Sequence, residues 1–214
     1  MQILLCAATE IEIASTIEFL QVNKLPVDIL ITGVGMPSAI YELTKSICKT
    51  KPQYIVQAGI AGCLNPHLFL GDVVVVESDT IGDLGVQEKE GFHSVFDMGF
   101  SDRNKWPWKD GKLTNGTKEY RQTGLQIVDA VTVNEVSTDI DRIKYYKEHL
   151  HAVIETMEGA ALHYVGLMDS IPFMQIRALS NYIGERDKAK WDLHGAISNL
   201  NSELQRLLIN FFTS

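Results

Sequence analysis

The 214 residues carry a formal net charge of −8, with 45% hydrophobic and 21% charged side chains, the balance of an ordinary globular protein and not of a disordered or coiled-coil chain. That length accommodates one large α/β domain whose core needs neither disulfide nor metal, so residues 1–214 read as a single domain. The acidic balance argues against the broad basic face that nucleic-acid backbones require, while leaving room for a local anion pocket.

Cys6, Cys48 and Cys63 are odd in number, lack CxxC spacing and lie mostly in apolar segments. This usage suits reduced thiols in a cytosolic core and suits zinc poorly, so neither a metal nor a cofactor is expected. The opening run MQILLCAAT has no cation before it and Glu10 and Glu12 directly after it, which fits a buried first strand better than a secretory signal. No apolar run approaches the roughly 20 residues that cross a bilayer, so a cytoplasmic location without a membrane partner is expected.

In chain order, the patterning predicts a strand over 3–7, a helix over 10–20, a strand over 28–32, a helix over 37–48 and a strand over 54–57. Such β-α-β-α-β alternation implies a three-layer α/β sandwich around a mixed, largely parallel central sheet. The runs VDILIT and QYIVQAG are apolar almost throughout, as expected of strands buried on both faces. After Gly71 the run DVVVVESDTIG is rich in β-branched residues and reads as another strand. The stretch 82–115 is irregular, polar and aromatic, and too long for a plain connection, so it holds short strands or forms a lid. Beyond it the pattern gives a strand over 126–133, a helix over 139–149, a short strand over 152–155, a helix over 158–168, a strand over 173–179 and a final helix over 192–212. No internal repeat or linker divides the chain.

Four segments with chemical potential fall where strands are expected to end, the place where open α/β sheets bind ligands. In ATEIE, Glu10 and Glu12 follow the first strand; two solvated acids in a first helical turn would look the same. In TGVGMPSA, Gly33 and Gly35 turn the chain into a helix with Pro37 in its first turn, leaving backbone N–H groups for an anion or a ribose. In QAGIAGCL, Gly59 and Gly62 permit close backbone approach, for a ligand or for packing. In the pair ETMEGAA and QIRALSN, Glu158 opens a helix with small residues behind it, and Arg177, Ser180 and Asn181 end an apolar strand.

Each segment alone leans structural, but their order and spacing over nearly the whole chain resemble the nucleoside phosphorylase and 5′-methylthioadenosine/S-adenosylhomocysteine nucleosidase superfamily. The matching pieces are ATEIE, TGVGMPSA, AGIAGCL, Met157-Glu158-Gly159-Ala160 and Arg177 to Asn181. ETMEGAA, VTVNEV and SNYIGERDKAKW are more similar to the futalosine hydrolases of menaquinone biosynthesis, as is EKEGFHSVFDMGF.

The resemblance implies a purine nucleosidase. Glu12 would activate the attacking water, Glu158 would bind ribose hydroxyls and stabilise the cationic sugar, and Asn181 would hydrogen-bond the departing base. Gly35, Ile60, Ala61, Gly62, Val136, Met157, Arg177 and Ser180 would line the substrate, with Met157 beneath the ribose. Two positions depart from the pattern. Asn181 stands where adenine-cleaving members have Asp, which favours a 6-oxopurine such as the hypoxanthine of futalosine. Ile60 stands where nucleosidases carry a small polar residue. ATEIE holds no cation for phosphate, which favours hydrolysis over phosphorolysis. Methylthioadenosine or S-adenosylhomocysteine cleavage, a phosphorylase, and a nucleoside-binding module without catalysis are the other readings; a symmetric homo-oligomer, dimer or larger, is expected.

Overall fold

A computed structural model describes residues 2–89 and 91–213; Met1, Glu90 within the irregular stretch, and Ser214 lie outside the described residues. The elements are β1 (Ile3–Ala7), α1 (Glu10–Val22), β2 (Val27–Ile31), α2 (Met36–Thr50), β3 (Tyr54–Cys63), β4 (Val73–Ile81), β5 (Gly85–Gln87), β6 (Phe92–Ser94) and β7 (Leu113–Thr114). They continue with β8 (Gln126–Thr132), α3 (Ile140–Glu148), β9 (Ile154–Thr156), α4 (Gly159–Met168), β10 (Phe173–Tyr182) and α5 (Leu193–Thr213). Single 3₁₀ turns lie at Glu119–Gln122 and Lys188–Lys190.

The main sheet is eight-stranded, in the order β10-β4-β8-β9-β3-β1-β2 with β7 on β4, and β10 also pairs with β3. That extra pairing curls β3, β10, β4, β8 and β9 into a closed ring, from which β1 and β2 extend as a flank. Parallel pairing joins β2–β1, β1–β3, β3–β10, β4–β8 and β8–β9, whereas β10–β4, β3–β9 and β4–β7 run antiparallel. The mixed, largely parallel α/β architecture is therefore the observed one. Helices α1 and α5 pack together on one face, and α2 with α4 on the other. The largest apolar cluster joins Ile3, Leu5, Val56, Met174 and Ile176 of the strands to Ile13 of α1 and Leu200, Leu204 and Leu208 of α5.

Three local expectations are corrected. The run VDILIT is not buried on both faces: among the described residues β2 is the terminal strand, paired with β1 alone, and Ile29 and Ile31 remain 36% and 38% exposed. Strands β3 and β10 run on through segments that read as turns, because each has partners along its length. Residues Phe173 to Tyr182 follow Ile55 to Cys63 in parallel, with a bulge between Leu179 and Asn181, and Gly62 and Cys63 also pair with β9. Cys48 is exposed on α2, unlike the buried Cys6 and Cys63.

The 82–115 stretch resolves into short strands. β5 and β6 form a two-stranded hairpin and β7 joins β4. Aromatic contacts anchor it: Phe96 meets Trp108 edge-on at 5.2 Å and Phe92 meets Tyr145 of α3 at 5.4 Å. Phe100 and Trp106 stay exposed.

Candidate active site

Chain direction separates the two acids of ATEIE. Thr9 is the N-cap of α1, so Glu10 at the first helical position points outward and is exposed, while Glu12 at the third turns back toward its cap. The Thr9 N–H and Oγ1–H both donate to Glu12 Oε2 at 2.9 Å, and the Ile60 N–H donates to Oε1 at 3.1 Å. Glu12 is 8% exposed. A carboxylate offers about four lone-pair sites, so the free one lies on Oε1, beside Gly59.

Glu158 ends the loop after β9 and sits at the N-cap position of α4, yet its side chain does not cap that helix. Its Oε1 accepts the Gly35 N–H at 2.8 Å across the site, leaving both lone pairs of Oε2 free. Gly35 has φ +94°, a left-handed conformation that a side chain would strain, and this orients its N–H inward at the start of α2. Burial raises the Glu158 carboxyl above its ordinary value and the Glu12 charge adds to the rise, while the Arg177 charge and the Gly35 N–H oppose it.

Arg177, on β10, is 1% exposed. Its Nη2 donates to Gln57 Oε1 at 2.6 Å, and the Gln57 amide donates through Nε2 to the Glu158 carbonyl at 3.3 Å. A Cβ on Gly59 would stand 2.3 Å from Arg177 Nη1 and 2.9 Å from Glu12 Oε1. Only glycine lets these two groups close on the same point of β3. What approaches Gly59 is thus the site's own cation and acid. The space over Gly62 is filled by Ile183, whose Cδ1 would stand 2.1 Å from any Cβ placed there.

Ser180 is the bulged residue of β10, and its Oγ lies 3.2 Å from the Ala61 carbonyl and 2.9 Å from Asn181 Oδ1, to either of which its proton can be donated. With Oδ1 turned to the serine, Asn181 Nδ2 is the amide's outward donor, holding only a long 3.4 Å bond to the Tyr182 carbonyl. Asn181 is 8% exposed, and Met157 and Ile60 are half-buried.

The fold therefore connects Glu12, Ile60, Arg177, Glu158 and Gly35 through hydrogen bonds and close approach, and Ala61, Ser180 and Asn181 through a second set on the paired ends of β3 and β10. Val136 lies elsewhere. It is 38% exposed and lines a cleft of about 960 Å³ between the β5–β6 hairpin and α3, with Asp83, Phe92, Arg142 and Tyr145. Links run from that cleft toward the paired strand ends: the Ser137 N–H donates to Glu155 Oε1 at 3.0 Å, Glu155 being the β9 partner of Gly62, and Tyr146 packs against Val131 of β8. Thr9 and Gln57, neither of them among the residues expected in the site, hold the acids in place; the sequence signal for Gln57 is a polar side chain within an apolar strand. Among the described residues no cluster of His, Cys, Asp and Glu is arranged to hold a metal ion.

Residues 6–213 match the phosphorylase superfamily, and the chain belongs to that family. Within it, the futalosine hydrolase of Thermus thermophilus is 30% identical over 180 residues, covering 83% of this chain and 79% of that protein. The futalosine hydrolase of Streptomyces coelicolor is 30% identical over 154 residues, 72% of this chain, and the match spans 64% of that relative's own length. The fold is shared with the native futalosine hydrolase of Helicobacter pylori at a TM-score of 0.83 and 14% identity, covering 99% of this chain and 98% of the other. Among the described residues no helix is long and apolar enough to cross a membrane.

Proposed function

We propose that this chain hydrolyses the N-glycosidic bond of a purine nucleoside, and that futalosine is the nucleoside. One observation carries the reading: two buried carboxylates, Glu12 and Glu158, each anchored by a backbone N–H, with free lone pairs and a buried arginine between them. Glycosidic cleavage builds positive charge on the ribose and negative charge on the base, and a site must favour both at once.

Glu12, with one acceptor site left on Oε1, takes a proton from the attacking water. Glu158, with Oε2 unoccupied, accepts from ribose hydroxyls and stabilises the cationic sugar. Arg177 balances the two acids and does not reach out to phosphate, because its side chain is 1% exposed, with Nη2 donating to Gln57 and Nη1 packed on Gly59. Asn181 Nδ2 donates to N7 or O6 of the base as charge collects there, and Met157 packs beneath the ribose. Gly35, Ile60, Ala61, Gly62 and Ser180 complete the wall, from which Val136 stands apart in the cleft beside α3. The names of the sequence relatives support futalosine, and a donor at Asn181 supports a 6-oxopurine.

A homo-oligomer, dimer or larger, in the cytoplasm belongs to this reading; the exposed Ile29, Ile31 and Val34 at the β2 edge support the assembly. The test is chromatography of purified protein incubated with futalosine, inosine and methylthioadenosine, with and without phosphate. Release of hypoxanthine and free sugar from futalosine, at a rate that phosphate does not raise, is expected. A sugar 1-phosphate product would make it a phosphorylase, preference for methylthioadenosine would reassign the substrate, and bound but uncleaved nucleoside would leave a binding module.

A further inference from the structure

Beneath Glu158 lies a buried polar layer that the chemistry above does not use. Asp79 of β4 and Thr132 of β8 are fully buried, and Thr156 of β9 is 4% exposed. The Gly159 N–H donates to Thr156 Oγ1 at 3.2 Å, and the Ala160 N–H donates to Thr132 Oγ1 at 2.8 Å. Thr132 Oγ1 in turn donates to Asp79 Oδ1 at 2.8 Å, and the two threonine hydroxyls lie 2.9 Å apart. Because Thr132 spends its only proton on Asp79, Thr156 must donate to Thr132. All these bonds therefore run one way, from the first two N–H groups of α4, through two hydroxyls, to one carboxyl group.

A helix start leaves N–H groups without intrahelical partners, and normally the N-cap side chain takes one of them. Here the N-cap is Glu158, whose carboxylate is turned 2.8 Å from the Gly35 N–H instead. The strand residues do the capping from below. The contact is close: a Cβ on Gly159 would stand 2.2 Å from both Asp79 Oδ2 and Gln175 Nε2. Helix α4 thus rests directly on the layer, and the residue before Gly159 is the one that projects into the site.

We propose that Asp79, acting through Thr132 and Thr156, is a positioning residue for Glu158: the relay caps α4 so that the Glu158 carboxylate is released from capping and held toward the substrate. The proposal rests on the reading of Glu158 as a site acid. It concerns the orientation of that acid and not a contact between Asp79 and substrate.

A double-mutant cycle tests it, with kcat and KM for futalosine and the thermal midpoint measured for each protein. Thr132→Val keeps the side chain's size and removes the hydroxyl; Thr132→Ser restores the hydroxyl. Thr132→Val is expected to lower kcat at least about tenfold when Glu158 is present and less than about twofold in the Glu158→Gln background, as a residue acting through Glu158 requires. Thr132→Ser is expected within about threefold of wild type. Equal losses in both backgrounds would overturn the relay while leaving the site reading intact, since they would mark a general packing defect. If Glu158→Gln alone turned over at the wild-type rate, the site reading itself would fall, and the relay with it. Should Thr132→Val not yield folded protein, Asp79→Asn replaces it in the cycle. At an assay pH of about 8, above the value of about 7 to which burial raises Asp79, its neutral amide is a weaker acceptor than the carboxylate, so a loss of about threefold or more is expected with Glu158 and none with Glu158→Gln; no loss, or the same loss in both backgrounds, would overturn the relay.

Discussion

Arg177 and Arg142 stand in two regions built from the same residue types, and they are held in opposite ways. Around Arg177, at the paired ends of β3 and β10, every charged group is at least nine-tenths buried and is fixed by directed bonds: Glu12 to Thr9 and Ile60, Glu158 to Gly35, Arg177 to Gln57. Around Arg142, in the 960 Å³ cleft beside α3, Asp83, Glu135, Asp139, Asp141, Lys144 and Glu148 line an open wall. Arg142 itself stacks 4.0 Å over Phe92 and donates to Gln87 Oε1 at 2.8 Å. Water supports the charges of the cleft, whereas a charge in the interior must be held by the protein itself. Machinery that acts on developing charge belongs in the interior, where directed groups keep their strength.

That contrast is broken most directly at Glu12. Glu12→Gln keeps the shape but has a single acceptor oxygen to face either Thr9 or Ile60 and cannot take a proton from water, and turnover should fall by roughly 10²- to 10⁴-fold with nucleoside binding retained. Single-turnover kinetics beside equilibrium binding separate the two quantities. Near wild-type turnover would return Glu12 to a helix-start acid that happens to be buried.

Asn181→Asp carries the next largest effect. The Ser180 hydroxyl can still face the new side chain, but a carboxylate presented to O6 of hypoxanthine lacks the donor that Nδ2 supplied, at a cost of about 1–3 kcal/mol unless it is protonated. The ratio of kcat/KM for hypoxanthine over adenine nucleosides should fall by roughly ten- to a hundredfold. An unchanged ratio would mean that Asn181 does not read the base.

How far this site was visible beforehand depends on what local pattern can encode. The alternation of apolar strands and amphipathic helices set out the α/β order, because period and turn chemistry are local properties. Strands β3 and β10 looked shorter than they are, since Gly59, Gly62, Ser180 and Asn181 are turn-forming types and only their sheet partners make them strand. β2 failed in the other direction: VDILIT has the composition of a central strand, and composition does not say that the sheet ends there. In the site, ATEIE offers two acids that local pattern does not tell apart; the resemblance points to Glu12, and the physical distinction lies in the Thr9 cap and the backbone of Ile60, 48 residues away. Asp79 stood in plain view as an acid within a β-branched run, but its burial against Gly159 is a tertiary fact.

A third and smaller effect sharpens the interior side of the comparison through pH. Burial raises Asp79 from its ordinary 3.8 to about 7, with Thr132 and Arg177 opposing the rise. Between those values the folded protein holds a proton that the unfolded chain has lost, so this group makes stability fall as pH rises. Burial lowers His163, whose Nδ1 faces the Leu113 carbonyl, from 6.5 to about 4. There the unfolded chain holds the extra proton, and stability rises with pH. The two opposed slopes overlap between about pH 4 and 6.5, each bounded by about 1.4 kcal/mol per pH unit. Urea unfolding across that range should therefore show a more positive slope for Asp79→Asn and a more negative one for His163→Asn than for wild type. Parallel curves for all three would mean that these groups titrate alike in the folded and unfolded chains.

The smallest effect is expected in the open cleft. Arg142 pins the hairpin to α3 by stacking on Phe92 and bonding to Gln87, with a longer 3.4 Å approach to the Gly82 carbonyl. It is half-buried, so solvent screens its charge, and the stacking contributes on the order of 0.5–1 kcal/mol. Arg142→Ala should lower the urea midpoint by an amount equivalent to about 1 kcal/mol while leaving kcat for futalosine within roughly twofold. The reason is connectivity: the links from this cleft end on Glu155 of β9 and, through Tyr146, on Val131 of β8, and neither residue bonds to Glu12, Arg177 or Glu158. A tenfold loss of kcat at unchanged stability would show that the cleft and the buried acids act as one site. Val136 would then be a substrate contact that the hairpin holds in place, and the division between interior machinery and open wall would have to be redrawn around α3.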